Sequence, residues 1–342
     1  MEGLFCMTRE ISEAAGGRTP ASFGFSFVDL TGGSAAPLHV VDPSFSFIKE
    51  LPGTRFLLFR DSCNGLVLFE HRREPRGGRM GYIVCNLTTK EWEAVPACGD
   101  PKLPLTYPYL AFDPAVSAHF HLVQFEISPI VSREGGRRWS SSQCTPTPPK
   151  PRHGGGNQIN EGWRQVTTFL IAHPHSRCPF INGFLHLLVL DQDQMKIAVV
   201  DVQGRARGMI PVPPGHQWMC YFGESQGQLH YMSQEILDDG EGKYNLSVWA
   251  LEDYDAQEWV LKGTVSTYEV FGEDSCINCT AEPEFEVVDI HQDCNVVFLT
   301  HPLERSNMVA YDMDSKEVSI ISTLDDGKEL MGTARYVPCR FL

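Results

Sequence analysis

A two-part unit of alternating apolar and polar positions returns along this chain. Its first part is a small polar turn followed by a short alternating strand. It occurs as CNGLVLF at 63–69, INGFLHLLVL at 181–190, SQGQLHYM at 225–232 and DCNVVFLT at 293–300. Its second part is a strand, a polar turn and a returning strand. It occurs as YIVCNLTTKEWEAV at 82–95, IAVVDVQGRARGMIPV at 197–212, LSVWALEDYDAQEWVL at 246–261 and MVAYDMDSKEVSII at 308–321.

In 82–95, Ile83 and Cys85 alternate with Val84. That period of two sends successive side chains to opposite faces of a strand. Asn86 to Lys90 then supplies the turn, because Asn and Thr side chains bond nearby backbone amides. Trp92 opens the return strand. The same layout comes back with Asp201, with Glu252 before Trp259, and with Asp312 before Val318. Trp92, Trp249 and Trp259 read as packing residues of this repeat.

The spacing of the last three second parts suits one four-stranded blade each. The longer interval between the first two suits two blades, with YLAFDPAVSAHFHLVQFEI at 109–127 as the extra unit. There Asp113-Pro114 makes a turn, and His119, His121, Val123 and Phe125 fall on one strand face. FGFSFVDL at 23–30 and LHVVDPSFSFI at 38–48 would begin another blade. Repeats of about 40–60 residues built from short strands predict an all-β fold, a β-propeller of about six or seven four-stranded blades. No long 3.6-period segment argues for an α/β fold. The segment Arg335–Phe341 is expected to help close the ring.

Two stretches break the pattern. Residues 1–20 are expected to be poorly ordered, leaving 21–342 as the propeller. Residues 128–162 are dominated by Ser, Pro and Gly and read as a flexible insertion at a blade edge. Their Thr-Pro-Thr-Pro-Pro stretch has the composition of a polyproline-II ligand, although a solvated loop is the simpler reading.

Composition narrows the function. Hydrophobic residues make up 42%, enough for a sizeable core. The formal net charge is −15, which argues against nucleic-acid binding and against anionic membrane surfaces. Acidic residues gather in the second half, among them Glu252, Asp253 and Asp255, either as solvated loops or as a rim for a basic partner. There is no run long enough to span a membrane and no secretory leader pattern. The 11 cysteines are scattered, several within apolar strands, which fits a reducing intracellular compartment, cytoplasm or nucleus.

Candidate chemistry is sparse. Gly223-Glu-Ser225-Gln-Gly227 matches the nucleophile-elbow pattern, but the next residues alternate as a strand where a hydrolase has a helix. Ser225 therefore reads as part of the repeated turn. Cys276 and Cys279 form one CxxC, and with His291 and Cys294 a Cys₃His set can be written down. Cys294 nevertheless belongs to a repeat unit, so no metal is expected. His173 and His175, with His119 and His121, read as packed or surface histidines. No phosphate or dinucleotide loop is present, and no cofactor is expected. Trp139, Trp163 and Trp218 fall outside the regular strands and are the candidate partner-binding anchors.

The strings DSCNGLVLF, YIVCNLTTKEWEAVP, YLAFDPAVSAHFHLVQF, FINGFLHLL, LSVWALEDYDAQEWVLK and YDMDSKEV resemble the β-propeller-like, kelch-like associated region of plant F-box proteins. The similarity runs in order over about residues 20–340. The resemblance implies a substrate receptor of an SCF-type ubiquitin ligase, in which an F-box docks a Skp1-type adaptor and the propeller selects the target protein. Residues 1–55 show no F-box module. Leu51-Pro52 is followed by Gly-Thr-Arg-Phe, which reads as the start of a strand. The expectation is therefore a non-catalytic recognition domain with an unknown target protein, and an adaptor only where an F-box is joined to it. A propeller-based hydrolase or sugar-acting enzyme, and a decoy that binds the target without delivering it, are the alternatives.

Overall fold

The computed structural model describes residues 3–10, 23–30, 46–49, 56–72, 79–96, 106–131, 137–146, 170–171, 177–191, 194–214, 218–236, 244–272, 286–300, 307–323 and 328–338. Nearly all of these are strand. β1 (Gly3–Glu10) and β2 (Phe23–Asp29) open the chain. A short helix, α1 (Ser46–Lys49), precedes a four-stranded sheet of β3 (Phe56–Cys63), β4 (Leu66–Arg72), β5 (Arg79–Asn86) and β6 (Trp92–Pro96). A three-stranded sheet follows, made of β7 (Thr106–Ala111), β8 (His121–Val131) and β9 (Arg137–Pro146). A five-stranded sheet contains β10 (Leu170–Ile171), β11 (Phe180–Ile181), β12 (Phe184–Asp191), β13 (Gln194–Asp201) and β14 (Ala206–Pro211). Next comes the sheet of β15 (Trp218–Ser225), β16 (Gln228–Ile236), β17 (Tyr244–Asp253) and β18 (Glu258–Ser266), capped by helix α2 (Thr267–Phe271). The last four-stranded sheet is β19 (Glu286–Ile290), β20 (Val296–Thr300), β21 (Asn307–Asp312) and β22 (Val318–Thr323). β23 (Lys328–Tyr336) returns to the beginning and pairs antiparallel with β1, giving a sheet in the order β2-β1-β23.

All these pairings are antiparallel, and three sheets are simple four-stranded meanders of the propeller-blade kind. The fold class is all-β, as the alternation predicts. The expected set of about six or seven regular four-stranded blades differs from the sheets found, since one has five described strands and two have three. The chain divides into two compact units. Unit 1 joins residues 1–38 to 213–336, and unit 2 holds 39–212 with 337–342.

Each unit is held by apolar layers between its sheets. In unit 1, Met232, Leu246 and Val248 pack with Val297, Leu299 and Tyr311, while Leu4 and Cys6 of β1 pack with Phe298 and Met308. In unit 2, Leu68, Tyr82 and Val84 meet Leu110 and Leu122, and Tyr109, Val123 and Phe125 meet Leu185, Leu187 and Val200. Fully burying such a side chain contributes about 1.5–3 kcal/mol.

The turns follow the repeat. Asn64-Gly65, Asn182-Gly183 and Gln226-Gly227 all adopt positive φ at both positions, the two-residue turn whose twist suits a hairpin. In the second hairpins, Asn86 Oδ1 accepts from Thr88 N and Thr89 N, Asp201 Oδ1 from Gln203 N and Arg205 N, and Asp312 Oδ1 from Asp314 N and Ser315 N. The fourth such turn uses Asp253, whose Oδ1 accepts from Ala256 N, and not the expected Glu252, which pairs with Lys262. Glu is one methylene too long to close this local ring.

Several expectations are corrected. Within residues 1–20, Gly3–Glu10 is the middle strand of a sheet, with Leu4 and Cys6 fully buried. Its Leu-Phe-Cys-Met run is too short to show a period, so pairing with β23 decides its state. Residues 128–131 and 137–146, read as part of a flexible insertion, continue β8 and form β9, with Pro129 opposite Trp139. Backbone pairing overrides the polar composition there. Residues 147–162 lie outside the described residues. Ser46–Lys49 is a helical turn and not a strand. Trp92 and Trp259 sit on the last strands of their sheets, but Trp249 lies on a third strand, so the three are not equivalent. Among the described residues, no helix is long and apolar enough to cross a membrane.

Candidate functional site

The densest polar constellation in unit 1 is built on the first strands of two sheets and on β23. Three first strands share one irregularity. A β-bulge interrupts pairing between Phe59 and Asp61 in β3, between Met219 and Tyr221 in β15, and between Val287 and Asp289 in β19. A bulge re-aims the side chain that follows it. In all three strands that side chain is polar and buried: Asp61 at 5%, Tyr221 at 6% and Asp289 at 0% exposure.

In unit 1 the re-aimed groups converge on Arg335 of β23. Its Nε donates to Asp289 Oδ1 at 3.1 Å and Oδ2 at 3.2 Å. Its Nη2 donates to Asp289 Oδ1 at 2.9 Å, to Tyr221 Oη at 3.2 Å and to the Glu224 carbonyl at 2.6 Å. Its Nη1 donates to Glu224 Oε2 at 2.9 Å. Tyr221 Oη and the Ile290 amide both donate to Asp289 Oδ1, at 2.7 Å and 2.8 Å. Burial opposes the charge on Arg335, but the Asp289 and Glu224 carboxylates and Tyr221 outweigh it and raise its pKa. The guanidinium fork is thereby used on three nitrogens, which is the geometry of a clamp joining three sheets. Gly223 serves the same arrangement, because a Cβ there would overlap the Tyr221 ring.

Unit 2 uses its bulge differently. Asp61 Oδ1 accepts from Ser62 N at 2.9 Å, and Oδ2 accepts from Leu110 N of β7 at 2.8 Å. Burial raises its pKa to about 7, against the opposing pull of those two amides and of Arg177. Its field acts on the buried Tyr109 phenol and Cys178 thiol, both already pushed up by burial. Nearby in β4, Glu70 is bridged by Arg60 Nε at 2.7 Å and Arg72 Nε at 2.5 Å. Its own burial works against ionisation, yet the two guanidinium groups win and lower its pKa.

Hairpin turns latch onto the next sheet in both units. Cys63 Sγ and Asn64 Nδ2 donate to the Phe112 carbonyl at 3.3 Å and 2.7 Å. Ser225 Oγ donates to the His291 carbonyl at 2.7 Å, and Gln226 N to the Gln292 carbonyl at 2.6 Å. Ser225 thus sits in a strand-turn-strand latch, without the helix of an elbow. His230 is held separately, with Nδ1 3.2 Å from the Gln228 carbonyl, and burial lowers its pKa to about 4. The two side chains are engaged with different partners.

His291 Nδ1 lies 3.0 Å from Cys294 Sγ and accepts from Asp293 N at 3.1 Å. Half of the written Cys₃His set therefore comes together, while Cys276 and Cys279 lie outside the described residues. Among the described residues no group of three or more His, Cys, Asp or Glu is placed to hold a metal ion. His119 is exposed and His121 half-buried. His173 and His175 lie outside the described residues.

The tryptophans proposed as anchors are placed by their backbone strands only. Trp139 occupies β9 of unit 2 and Trp218 begins β15 of unit 1. Trp163 lies outside the described residues. Among the described side chains, the exposed large apolar ones are Trp92, Leu261, Val318 and Ile320 on last strands, Tyr268 on α2 and Val116 in a turn. The signal for the buried carboxylates was present in the sequence as charged residues inside apolar runs, Asp61 of unit 2 in FLLFRDSC and Asp289 of the clamp in EVVDI. A buried charge is more informative than an exposed apolar residue.

No protein-family model matches this chain, and no curated protein matches it. Solved structures similar to it include a protein from Lactobacillus plantarum, at 10% identity, 95% of this chain, 83% of that one and a TM-score of 0.41. Prolyl oligopeptidase B from Galerina marginata is similar at 13% identity over 95% of this chain and 41% of its own, with a TM-score of 0.42. A Synechocystis apocarotenoid oxygenase is similar at 12% identity over 82% of this chain and 63% of its own, with a TM-score of 0.35. The expectation of a chain without catalysis is corrected by these comparisons. Proteins named as enzymes stand among the solved structures it is similar to.

Proposed function

We propose that this chain is a propeller-type protein-recognition domain of the plant F-box receptor kind, with each sheet serving as a blade. The observation that carries the reading is where apolar side chains reach the surface. Trp92 of β6, Leu261 of β18, and Val318 and Ile320 of β22 all lie on the outermost strand of a four-stranded sheet. Scattered exposed apolar residues need no explanation, but within unit 1 the concentration of Leu261, Val318 and Ile320 on outermost strands, beside charged turns, is what a docking surface requires. The bulged polar residues support the same reading, because their hydrogen-bonding capacity goes to joining neighbouring sheets.

The resemblance of the repeat strings supplies the pathway. The receptor selects a target protein, and a Skp1-type adaptor is expected when an F-box is joined to the chain. The test uses this chain as written and the same chain fused to an F-box, each supplied with adaptor, cullin and ubiquitin-conjugating enzymes. The fused chain is expected to place ubiquitin on the proteins it captures, and Trp92→Ala or Leu261→Ser to reduce that transfer. Capture and transfer that are indifferent to every outer-strand variant would overturn the reading. So would adaptor binding by the chain as written, since the recognition surface would then include a docking module.

A further inference from the structure

Two hairpin turns of this chain carry the same dipeptide. Asn64-Gly65 joins β3 to β4, and Asn182-Gly183 joins β11 to β12. Their backbones agree, with φ of 46° and 88° in the first and 52° and 83° in the second. Asn-Gly is also a dipeptide open to attack by its own backbone. The residue after the asparagine has no side chain to obstruct its nitrogen, and glycine turns freely.

The surroundings of the two turns differ. Asn64 Nδ2 donates to the Phe112 carbonyl at 2.7 Å, just beyond β7, and Gly65 is buried. Asn182 and Gly183 are both exposed. Among the described residues nothing bonds the Asn182 side chain, and a Cβ on Gly183 would meet no atom within 4 Å. The strands behind the turns differ as well. β3 has 8 residues and β11 has 2. Among the described strands β11 pairs with β12 alone, through Phe180 opposite Leu185 and Ile181 opposite Phe184. The next tie is His186 N to the Pro179 carbonyl at 3.0 Å. A short strand at a sheet edge opens at lower cost than a long one latched to its neighbour. The third such turn, Gln226-Gly227, is spared. Glutamine closes a larger ring more slowly, and Gln226 Nε2 donates to Asn295 Oδ1 at 2.8 Å.

We propose that Asn182 is a self-modification site at which this chain ages. In the locally opened hairpin the Gly183 nitrogen attacks Asn182 Cγ. An N–Cγ bond forms, the Cγ–Nδ2 bond breaks, and ammonia leaves with the proton of the Gly183 amide. Water then opens the cyclic imide at either carbonyl. Opening at Cγ leaves aspartate. Opening at the main-chain carbonyl leaves isoaspartate, whose main chain is one methylene longer. Either product adds a negative charge to a chain of formal net charge −15. Isoaspartate also lengthens a tight hairpin turn, so that Ile181 no longer stays opposite Phe184. β11 is then released from β12, and Phe180 leaves the apolar layer it packs against. The step needs no partner protein and stands or falls apart from the recognition reading.

The test keeps the whole chain in mildly alkaline buffer, samples it over weeks, and reads the change of amide to acid at both asparagines by mass spectrometry of its peptides. A parallel sample is kept unfolded in guanidinium chloride. In the folded chain Asn182 is expected to convert about tenfold or more faster than Asn64, whose hydrogen bond must first be given up. In the unfolded chain the two rates should converge. Equal rates in the folded chain overturn the proposal, and so does an Asn182 that stays intact when folded while it converts when unfolded. Amide hydrogen exchange at 180–186 reads the consequence. The aged chain should exchange faster there than fresh chain. Asn182→Asp adds the charge without the extra methylene and should exchange like fresh chain. If the aged chain and Asn182→Asp exchange alike, the release of β11 is refuted.

Discussion

Arg335 and Asp289 form a bidentate pair inside unit 1, with Nε at 3.1 Å and 3.2 Å from the two carboxylate oxygens and Nη2 at 2.9 Å from one of them. Asp289 is fully buried and the Arg335 side chain is 13% exposed. Removing one partner leaves the other charge without compensation. Arg335→Met is expected to lower unfolding free energy by about 3–5 kcal/mol. Arg335→Lys should recover little, because an ammonium cannot reach Asp289, Glu224 and Tyr221 together. Replacing both members, as Arg335→Met with Asp289→Leu, should cost clearly less than Arg335→Met alone. Urea denaturation of the wild type, Arg335→Met, Asp289→Leu, Arg335→Lys and the double variant checks this, and additive losses of the two single variants in the double one would count against the clamp.

Gly223 and Tyr221 offer a test of the same cluster from its apolar side. Gly223→Ala pushes a methyl group into the Tyr221 ring and should displace its hydroxyl from Asp289. The expected cost is about 1–3 kcal/mol. In a Tyr221→Phe background the hydroxyl is already gone, so the cost of Gly223→Ala should shrink. An unchanged cost in both backgrounds would show that the glycine matters for another reason.

Asp61 predicts a pH dependence. Its folded pKa is about 7, raised above the unfolded value of about 3.9. The folded chain therefore holds a proton that the unfolded chain has released between these values. Stability falls as pH rises through that window, by up to about 1.4 kcal/mol per pH unit, and the loss is complete above the folded pKa. Asp61→Asn should remove this contribution to the slope, whatever it does to absolute stability. Urea midpoints for both proteins between pH 5 and 8 decide it, and parallel pH profiles would refute the assignment.

Asp201 separates turn geometry from ion pairing. Its Oδ1 accepts from two turn amides, while Oδ2 meets Arg205 and Arg207. Those arginines are 38% and 48% exposed, so solvent screens the ion pairs. Asp201→Asn keeps an amide-accepting oxygen and should cost less than about 1 kcal/mol. Asp201→Ala leaves the turn amides without that acceptor and should cost about 1–3 kcal/mol. Equal losses in thermal denaturation would mean that the charge, and not the turn, holds the hairpin.

The hairpins were legible in sequence because their signals are local. Asn64-Gly65, Asn86, Asp201 and Asp312 mark turns by chemistry that acts within a few residues, and the strands beside them alternate. The first strand of each sheet was harder to read. β3, β15 and β19 contain bulges, and a bulge shifts the period by one residue at Asp61, Tyr221 and Asp289. The alternation that identifies a strand is therefore broken at the position where the informative side chain sits. β1 and β9 were missed for another reason: their state comes from pairing with strands elsewhere in the chain, which no local window contains. The clamp was hidden twice over, since its members come from three sheets. Trp139 and Trp218 were singled out for lying outside the pattern, but both fall within strands. Among the described residues, exposed Trp92, Leu261, Val318 and Ile320 lie on strands the pattern had already explained.

The β2-β1-β23 sheet has a consequence for how the molecule is made. Gly3 pairs with Tyr336, so the middle strand of that sheet leaves the ribosome long before its partner. Unit 2 lies between them in sequence and can collapse on its own local hairpins while β1, with its Leu-Phe-Cys-Met run, waits uncovered. Long-range strand pairing of this kind is slow, and an apolar strand kept waiting is a target for aggregation or for a chaperone. β23, made long after β1, thus decides whether β1 is ever fully paired.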